Sequence, residues 1–130
     1  MLPISILGAS GRMGRNLIEA VVNDAQTQLH SATVRSSSSM LDVDAGELAG
    51  TGKLGIALQT QAEVELEQCA VIIDFTLPEA VAANLEWAIT HNTPIVVGTT
   101  GLNAQQLATL HAAAKHIPIV FAANYSVGVN

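Results

Sequence analysis

Short apolar runs alternate with amphipathic segments at the start of the chain. Residues 4–7 form an apolar run with a single serine, which is typical of a strand buried on both faces of a parallel sheet. After a glycine-rich turn, apolar residues recur on one helical face, at Met13, Leu17, Ile18, Val21 and Val22. Residues 29–35 predict a second strand, so the pattern indicates a strand–helix–strand unit of about 30 residues.

The second half of the chain repeats this alternation. Apolar runs predict strands over residues 70–75, 95–97 and 117–121. A helix is predicted from Thr76, which forms a capping-box pattern with Glu79, to residue 91. A further helix is predicted from its cap Asn103 to Lys115, and Pro118 indicates that the last strand lies at an edge or starts there.

The region between the two halves is more polar. Residues 36–55 predict a surface loop with one helical turn near residues 45–48. A short strand over residues 54–58 and a short acidic helix over residues 61–67 are predicted to follow. Because strands alternate with helices over 130 residues, the chain is predicted to be one α/β domain, a Rossmann-like doubly wound parallel sheet with helices on both faces.

The composition excludes several classes of protein. The formal net charge is −6 and no basic stripe is present, which argues against nucleic-acid binding. No apolar run approaches the ~18 residues of a membrane span, and no signal peptide is visible at the amino terminus. Cys69 is the only cysteine, which agrees with a reducing compartment. We therefore expect a cytoplasmic protein with no membrane partner.

The turn between the first strand and the first helix contains Gly8, Gly11 and Gly14. Doubly wound sheets bind ligands at the carboxyl ends of their strands, where the free N–H groups of a helix attract phosphate. One glycine can supply a positive φ, one can admit a pyrophosphate, and one can allow close helix–strand packing. Arg12 adds a guanidinium to the first helical turn. The turn predicts a dinucleotide site, and the alternative is a tight turn without a ligand.

The end of the second strand carries an arginine and no carboxylate. NAD sites usually have an acidic residue about 20 positions beyond the glycines, and this chain has Val34 there, followed by Arg35. Arg35 and the serine hydroxyls of residues 36–38 can pair with a 2′-phosphate, so the charges favour NADPH over NADH. The alternative is a solvated arginine at a strand end.

Three further strand ends are predicted to line the same crevice, at residues 74–76, 98–101 and 123–126. Each also has an ordinary interpretation as a turn or a helix cap. Thr99 and Thr100 offer hydroxyls to a nicotinamide carboxamide. The four histidines are interpreted as surface or packing residues without metal-ligand spacing, and no catalytic residue is predicted in the chain.

With these residues assembled, the chain resembles the amino-terminal domain of the bacterial 4-hydroxy-tetrahydrodipicolinate reductase (dihydrodipicolinate reductase) family. The resemblance covers the whole chain and rests on five motifs in order: GASGRMG at 8–14, DAGELAG at 44–50, DFT at 74–76, VGTTG at 97–101 and FAANYSVGVN at 121–130. It implies an NAD(P)H-dependent reductase of diaminopimelate and lysine biosynthesis, which transfers a hydride to the cyclic product of the preceding synthase step.

The resemblance also implies cofactor contacts. The pyrophosphate would be held by Gly8, Ala9, Ser10, Gly11, Arg12 and Met13. Arg35 would meet the adenosine ribose or its 2′-phosphate. The nicotinamide would be surrounded by Gly98, Thr99, Thr100, Ala122, Ala123, Asn124 and Tyr125. Family members often carry an acidic residue where Val34 stands, and its loss implies a stronger preference for NADPH over NADH. Some relatives have a basic residue where this chain has Leu77, so a cofactor contact there is not implied.

In the family, a histidine-and-lysine motif for catalysis and substrate binding lies beyond residue 130, in a carboxyl-terminal domain that builds a homotetramer. The resemblance implies that residues 1–130 are a dinucleotide-binding domain that binds cofactor without turnover on its own. Two alternatives stay open. One is an extended short-chain-type nucleotide-sugar enzyme, against which Tyr125 is followed four positions later by Val129 rather than lysine. The other is a stand-alone nucleotide- or CoA-binding module of the same fold.

Overall fold

Strands and helices alternate in the computed structural model, which describes residues 1–121. The strands are β1 (Leu2–Leu7), β2 (Thr27–Thr33), β3 (Val71–Asp74), β4 (Ile95–Val97) and β5 (Ile119–Phe121). The helices are α1 (Arg12–Asn23), α2 (Ala45–Ala49), α3 (Val81–Thr90) and α4 (Ala104–Ala113). Single 3₁₀ turns occupy Gln61–Glu63 and Pro78–Ala80. Within residues 1–121, none of the helices combines the length and the apolar character that crossing a membrane requires.

The strands form one parallel sheet in the order β2-β1-β3-β4-β5. The chain first moves from β1 outward to β2, then crosses back over β1 to β3 and continues in the opposite direction. This topology confirms the predicted doubly wound sheet. The direction reverses between β1 and β3, and such a reversal opens a crevice at the carboxyl ends of the two strands, where sheets of this type bind ligands.

Two apolar cores cover the two faces of the sheet. One contains Ile72 of β3 together with Leu85 of α3 and Leu110 of α4. The other contains Ile18 of α1, and Ile73 of β3 packs against it. Successive residues of β3 therefore point to opposite cores, as the geometry of a strand requires. Because both faces are covered, the central strands are apolar without the alternation of a one-sided sheet.

A bulge at His30 changes the phase of β2. Ile4 lies opposite Leu29, whereas Ser5 lies opposite Ser31, so His30 is an extra residue on β2. The hydroxyls of Ser5 and Ser31 share a hydrogen bond of 2.6 Å inside the protein. The bulge therefore lets two buried polar side chains satisfy each other.

The region after β2 differs in part from the prediction. The helical turn predicted near residues 45–48 is confirmed by α2. The strand predicted over residues 54–58 is wrong, because this stretch makes only isolated bridges, between Ala57 and Asp44 and, just beyond it, between Gln59 and Thr33. The side chain of Asp44 accepts from the N–H groups of residues 54–56, and residues 56 and 58 exchange backbone hydrogen bonds with residues 42–45.

The acidic helix predicted over residues 61–67 is also wrong. Thr60 and Glu63 form a reciprocal capping box, but it begins only a single 3₁₀ turn. Beyond this turn, Val64 and Leu66 are buried while the glutamates that follow each of them are exposed. Buried and exposed side chains alternate here with a period of two, which is the pattern of an extended segment. The burial of Val64 and Leu66 therefore outweighs the helix propensity of the glutamates.

Helix α3 starts later than predicted. The capping box predicted for Thr76 and Glu79 is wrong, because the Thr76 hydroxyl donates to the carboxylate of Asp74 at 2.6 Å. The 3₁₀ turn at Pro78–Ala80 precedes α3 instead. By contrast, the cap predicted at Asn103 is confirmed, since its side chain accepts from the backbone N–H of Gln106 at 2.8 Å. The remaining bounds differ from the prediction by one or two residues.

Asp44 organises the long connection between β2 and β3. Its carboxylate caps α2 by accepting from the N–H of Glu47 at 3.0 Å. It also accepts from the N–H groups of Leu54 at 3.0 Å, Gly55 at 2.8 Å and Ile56 at 3.1 Å. These bonds, that of Leu54 most strongly, hold the pKa of Asp44 below the ordinary aspartate value of 3.8. One carboxylate thus ties the start of the DAGELAG segment to residues 54–56.

We expect this carboxylate to make the stability of the fold depend on acid. Because the folded-state pKa of Asp44 lies below its unfolded value, its contribution is present above that unfolded value and is lost as the pH falls through the folded pKa. Urea denaturation of the parent and of Asp44→Asn, measured between about pH 7 and about pH 2, should show a difference that shrinks below about pH 4. Asp24→Asn is the matched control, because that carboxylate accepts one backbone bond, from Gln26. A difference between the parent and Asp44→Asn that is constant with pH would contradict the expectation.

Candidate functional site

A concave site lies at the carboxyl ends of β1, β2 and β3. It is a cavity of about 660 Å³, a volume typical of small-molecule sites. Its walls come from the glycine turn after β1, the segment after β2 and the loop after β3. The lining residues are Leu7, Gly8, Ser10, Gly11, Thr33, Val34, Arg35, Ser36, Gln61, Phe75, Thr76, Leu77, Glu79, Ala80 and Asn84. The cavity therefore occupies the crevice where the topology of the sheet reverses.

Two glycines shape the turn that forms one wall. Gly8 has a φ of +76°, a conformation that residues with a side chain rarely adopt. Gly14 is buried in α1, and a Cβ there would lie 2.6 Å from the Cα of Ala9 and would also collide with the carbonyl oxygen of Gly8. Helix α1 therefore rests directly on the backbone of the turn. The turn is further closed by Arg15, whose Nε donates to the carbonyl oxygen of Ser10 at 3.2 Å.

The amino terminus of α1 faces this cavity without a side-chain cap. Its N-cap residue is Gly11, and the first turn contains no acidic side chain. A Cβ at Gly11 would meet only the carbonyl oxygen of Gly8, at 3.7 Å, so the space beside this residue is open. Helices α2 and α4, in contrast, are capped by Asp44 and Asn103. Uncapped N–H groups and the positive end of the helix dipole make this position suited to an anion.

The wall opposite the turn carries Arg35. Beyond the end of β2, Val34 remains buried, and its N–H donates to the carbonyl oxygen of Gln59 at 2.9 Å. Arg35 is exposed and lines the cavity beside Ser36. The glycine turn and the guanidinium thus bring two anion-binding features to one cavity.

The segment that pairs with Val34 brings Gln61 to the same wall. Gln59 also donates to the carbonyl oxygen of Ala32 at 3.2 Å, so residues 59–61 run alongside the end of β2. The Thr60–Glu63 capping box fixes the turn at this point. The backbone N–H of Thr60, and then its hydroxyl, donate to Glu63 and hold the pKa of that carboxyl below its ordinary 4.5. Gln61 is therefore placed on a fixed turn.

The loop after β3 joins the cavity to the loop after β4. Phe75 lines the cavity, and its ring lies against Gly98, where a Cβ would lie 2.6 Å from Cε2 and closer to other ring atoms. The N–H of Gly98 donates to the carbonyl oxygen of Asp74 at 2.8 Å. Next to it, Thr99 is buried, and its hydroxyl has no hydrogen-bond partner within residues 1–121. A buried hydroxyl without a partner is costly and indicates a place where a ligand group can bind.

The predicted site residues are divided between these walls. Four of them line the cavity, namely Gly8, Ser10, Gly11 and Arg35. Ala9 is buried behind the turn, and Arg12 and Met13 are exposed on the first turn of α1 outside the lining. Gly98, Thr99 and Thr100 are not in the lining, and Gly98 packs against the ring of Phe75. The predictions for Ala122, Ala123, Asn124 and Tyr125 lie outside the described residues.

Sequence reasoning missed three polar residues of the cavity. Gln61 gave no signal, because only the fold brings its segment beside β2. Glu79 was predicted to be part of a helix cap, yet its carboxylate lines the cavity. From the sequence, a carboxylate was sought only at the end of β2. Asn84 did give a signal, since it is a polar residue on the helical face shared by Val81 and Leu85. A buried polar side chain on an otherwise apolar face points to a specific partner.

Nucleophilic and metal chemistry find no support in the part of the chain that the structure describes. No group of three or more potential metal ligands occurs there. None of the four histidines lines the cavity. Cys69 is half-buried at the start of β3, and burial raises the pKa of its thiol. The charged side chains in the described lining are one guanidinium, that of Arg35, and one carboxylate, that of Glu79.

The family model described as dihydrodipicolinate reductase, N-terminus, matches residues 2–125 of the chain. This chain belongs to the dihydrodipicolinate reductase N-terminal family. A 4-hydroxy-tetrahydrodipicolinate reductase from Pseudoalteromonas atlantica is 53% identical over 130 residues, which are 100% of this chain and 49% of the relative. Another from Alkalilimnicola ehrlichii is 53% identical over 127 residues, 98% of this chain and 48% of the relative. The chain thus spans about half the length of the curated relatives it matches.

Solved structures support the fold of this dihydrodipicolinate reductase family member. A dipicolinate-bound dihydrodipicolinate reductase from Paenisporosarcina sp. TG-14 superposes with a TM-score of 0.63 at 22% identity, over 88% of this chain and 43% of that one. A biliverdin reductase from Synechocystis, solved with biliverdin and NADP⁺, gives a TM-score of 0.68 at 18% identity, over 92% of this chain and 37% of that one. At these identities the likeness shows a shared fold.

Proposed function

We propose that this chain is the dinucleotide-binding part of a 4-hydroxy-tetrahydrodipicolinate reductase of diaminopimelate and lysine biosynthesis, and that it prefers NADPH to NADH. The observation that carries the proposal is the cavity at the β1–β3 reversal, which combines the uncapped amino terminus of α1 with Arg35. Family membership and relatives named as reductases support the reaction. The proposal includes the cytoplasmic location expected from the composition, and it extends to the whole protein the homotetramer that the resemblance implies.

The residues present fit a dinucleotide. The open space beside Gly11 and the uncapped N–H groups of α1 suit a pyrophosphate, and Arg12 stands on the same helical turn. Arg35 and Ser36 suit a 2′-phosphate on the adenosine ribose. The lone hydroxyl of Thr99 suits a polar group of the nicotinamide. The adenosine half would therefore lie in the cavity, and the nicotinamide half beyond Phe75.

The role of the described residues is to bind and orient. A reduced nicotinamide supplies the hydride when it is bound. In this proposal the glycine turn fixes the pyrophosphate, and Phe75 and the Gly98–Thr99 backbone fix the direction in which the nicotinamide extends. Within residues 1–121, the cavity holds no histidine or lysine that would serve as a general acid. In this proposal, the acid–base step and substrate binding therefore require residues of the whole protein other than those that line the cavity.

Calorimetric titration of the chain with NADPH, NADH and CoA at one fixed salt concentration tests this proposal. We expect NADPH to bind more tightly than NADH, because only NADPH offers a 2′-phosphate to Arg35. We expect no oxidation of NADPH when the cyclic substrate is added to the pure chain. Thr99→Val and Thr100→Val separate a nicotinamide site from a CoA site, because CoA has no nicotinamide to lose contact with.

Three results would contradict the proposal. Tighter binding of CoA than of either nicotinamide dinucleotide, unaffected by Thr99→Val, would favour a CoA module of the same fold. Absence of binding by all three nucleotides would show that the glycine turn and Arg35 do not form a site in this chain. Turnover by the pure chain would show that the described residues contribute more to the reaction than binding.

A further inference from the structure

The DFT segment contains a buried carboxylate that the proposed binding site does not use directly. Asp74, at the end of β3, is fully buried. Its Oδ1 accepts from the backbone N–H of Thr76 at 2.9 Å and from the Thr76 hydroxyl at 2.6 Å. Its Oδ2 accepts from Nδ2 of Asn84 at 3.0 Å. A charge-assisted network of this kind, inside the protein, holds its members in one arrangement.

Both hydrogen-bond donors of Thr76 bind Asp74. Both its backbone N–H and its hydroxyl proton point to the same carboxylate oxygen, so neither donor is left for a phosphate in the cavity that Thr76 lines. The side chain turns its methyl group toward the glycine turn instead. A Cβ built at Gly8 would lie 3.3 Å from Cγ2 of Thr76 and 3.4 Å from the carbonyl oxygen of Phe75. The loop after β3 therefore packs against the turn by contact rather than by hydrogen bonding.

Asn84 links this arrangement to helix α3. Its Nδ2 donates to Asp74 and also to the hydroxyl oxygen of Thr76 at 3.1 Å. Asn84 is buried, and it lines the cavity as Thr76 does. The three side chains thus connect the end of β3, the loop that supports Gly8, and the inner face of α3.

We infer that Asp74 is a positioning residue for the dinucleotide site: it sets Thr76 and Asn84 so that the loop after β3 supports the glycine turn at Gly8. Asp74 itself touches no ligand, because it is enclosed beneath the residues it orients. The inference rests on the proposed function for its consequence in binding. Its structural part, the support of the turn, is a property of the ligand-free chain.

The direction in which Asp74→Asn changes the affinity for NADPH distinguishes a positioning role of Asp74 from an effect of its charge alone. A carboxylate close to a pyrophosphate repels it, so removing the charge by Asp74→Asn should strengthen binding if electrostatics alone mattered. The same change places an amide N–H₂ against the N–H₂ of Asn84 and breaks the link to α3. We expect positioning to prevail, with NADPH bound about tenfold more weakly by Asp74→Asn.

The exchange Asp74→Asn/Asn84→Asp is the rescue experiment. It restores an amide–carboxylate pair between β3 and α3 at the same net charge, and we expect affinity to return to within about threefold of the parent. Amide chemical shifts of Gly8 and Gly11 in the ligand-free chain provide a second measurement. They should move in Asp74→Asn and return toward the parent values in the exchange variant.

If Asp74→Asn does not fold, Thr76→Val decides the matter. The valine retains a methyl group for the contact with Gly8 but removes the hydroxyl that binds Asp74, so it should weaken NADPH binding. Thr109→Val is the control, because its hydroxyl donates to Gln105 within α4, outside the cavity.

The inference would be overturned if the amide shifts of Gly8 and Gly11 were unchanged in Asp74→Asn. If that variant does not fold, the inference would be overturned by a Thr76→Val variant that binds NADPH as tightly as the parent does. Tighter NADPH binding by Asp74→Asn would overturn it in favour of charge. A parent chain that binds no NADPH would defeat the proposed function, and the glycine shifts of the ligand-free variants would then decide the inference by themselves.

Discussion

Gly14→Ala is expected to destabilise the fold by about 3 kcal/mol or more. A Cβ at Gly14 would lie 2.6 Å from the Cα of Ala9 and collide with the carbonyl oxygen of Gly8. Both obstacles are backbone atoms, so no side chain can turn aside to make room. Either α1 moves away from the sheet or the turn deforms, and Ile18 and Val21 leave their core in the first case.

Gly11→Ala is the matched control, three residues earlier in the same turn. Its backbone has a φ of −74°, which alanine adopts freely, and the nearest atom to a Cβ is 3.7 Å away. We expect its stability to stay within about 1 kcal/mol of the parent. Its affinity for NADPH should nevertheless fall by about tenfold or more, because the methyl group would occupy the space proposed for the pyrophosphate.

Urea denaturation and NADPH titration of both variants measure this contrast. Gly14→Ala should unfold at much lower urea, and Gly11→Ala should unfold as the parent does but bind poorly. If Gly14→Ala unfolds at the parent's midpoint, the close packing of α1 on the turn is not required. If Gly11→Ala binds NADPH normally, the ligand does not approach the backbone there.

The pattern of the sequence was sufficient for the sheet but not for the long connection. Central strands such as β1, in which residues 4–7 are all buried, have both faces covered, so a nearly continuous apolar run identifies them without knowledge of their neighbours. Residues 54–58 also contain apolar side chains, yet the N–H groups of residues 54–56 go to the carboxylate of Asp44, ten or more residues away in the sequence. A local pattern does not reveal such a partner, and the region was therefore predicted as a strand.

Candidate residues of the site divide in the same way. Gly8 and Gly11 are recognisable because a strand, a turn and a helix in succession impose their requirements locally. Thr76 was misassigned because its hydroxyl oxygen, which would accept from a backbone N–H in a helix cap, accepts from Asn84 instead while its proton is donated to the buried Asp74. Gln61 lines the cavity only because its segment lies beside β2, a contact across more than 25 residues. Non-local contacts of this kind are set by tertiary structure.

Arg35→Ala should reduce NADPH affinity while leaving NADH affinity nearly unchanged. The guanidinium is exposed at the cavity wall and is free to reach a 2′-phosphate, and Val34 offers no carboxylate to a ribose hydroxyl at this strand end. Hydrogen bonds to a charged group contribute about 1.5–3 kcal/mol, which corresponds to a loss of about 10- to 100-fold in NADPH binding. Titration with both nucleotides at one fixed salt concentration measures the difference, because screening by salt weakens such a contact.

Arg12→Ala is the control for the effect of Arg35→Ala on the two nucleotides. Arg12 stands on the first turn of α1, where it would meet the pyrophosphate that both nucleotides share. Its removal should therefore weaken NADPH and NADH by similar factors, whereas removal of Arg35 should abolish the preference between them. If Arg35→Ala weakens both nucleotides equally, its guanidinium acts through the ribose or the net charge of the cavity rather than through the 2′-phosphate. The preference for NADPH would then have to originate elsewhere in the cavity, with Gln61 and Ser36 as the polar side chains on the same wall.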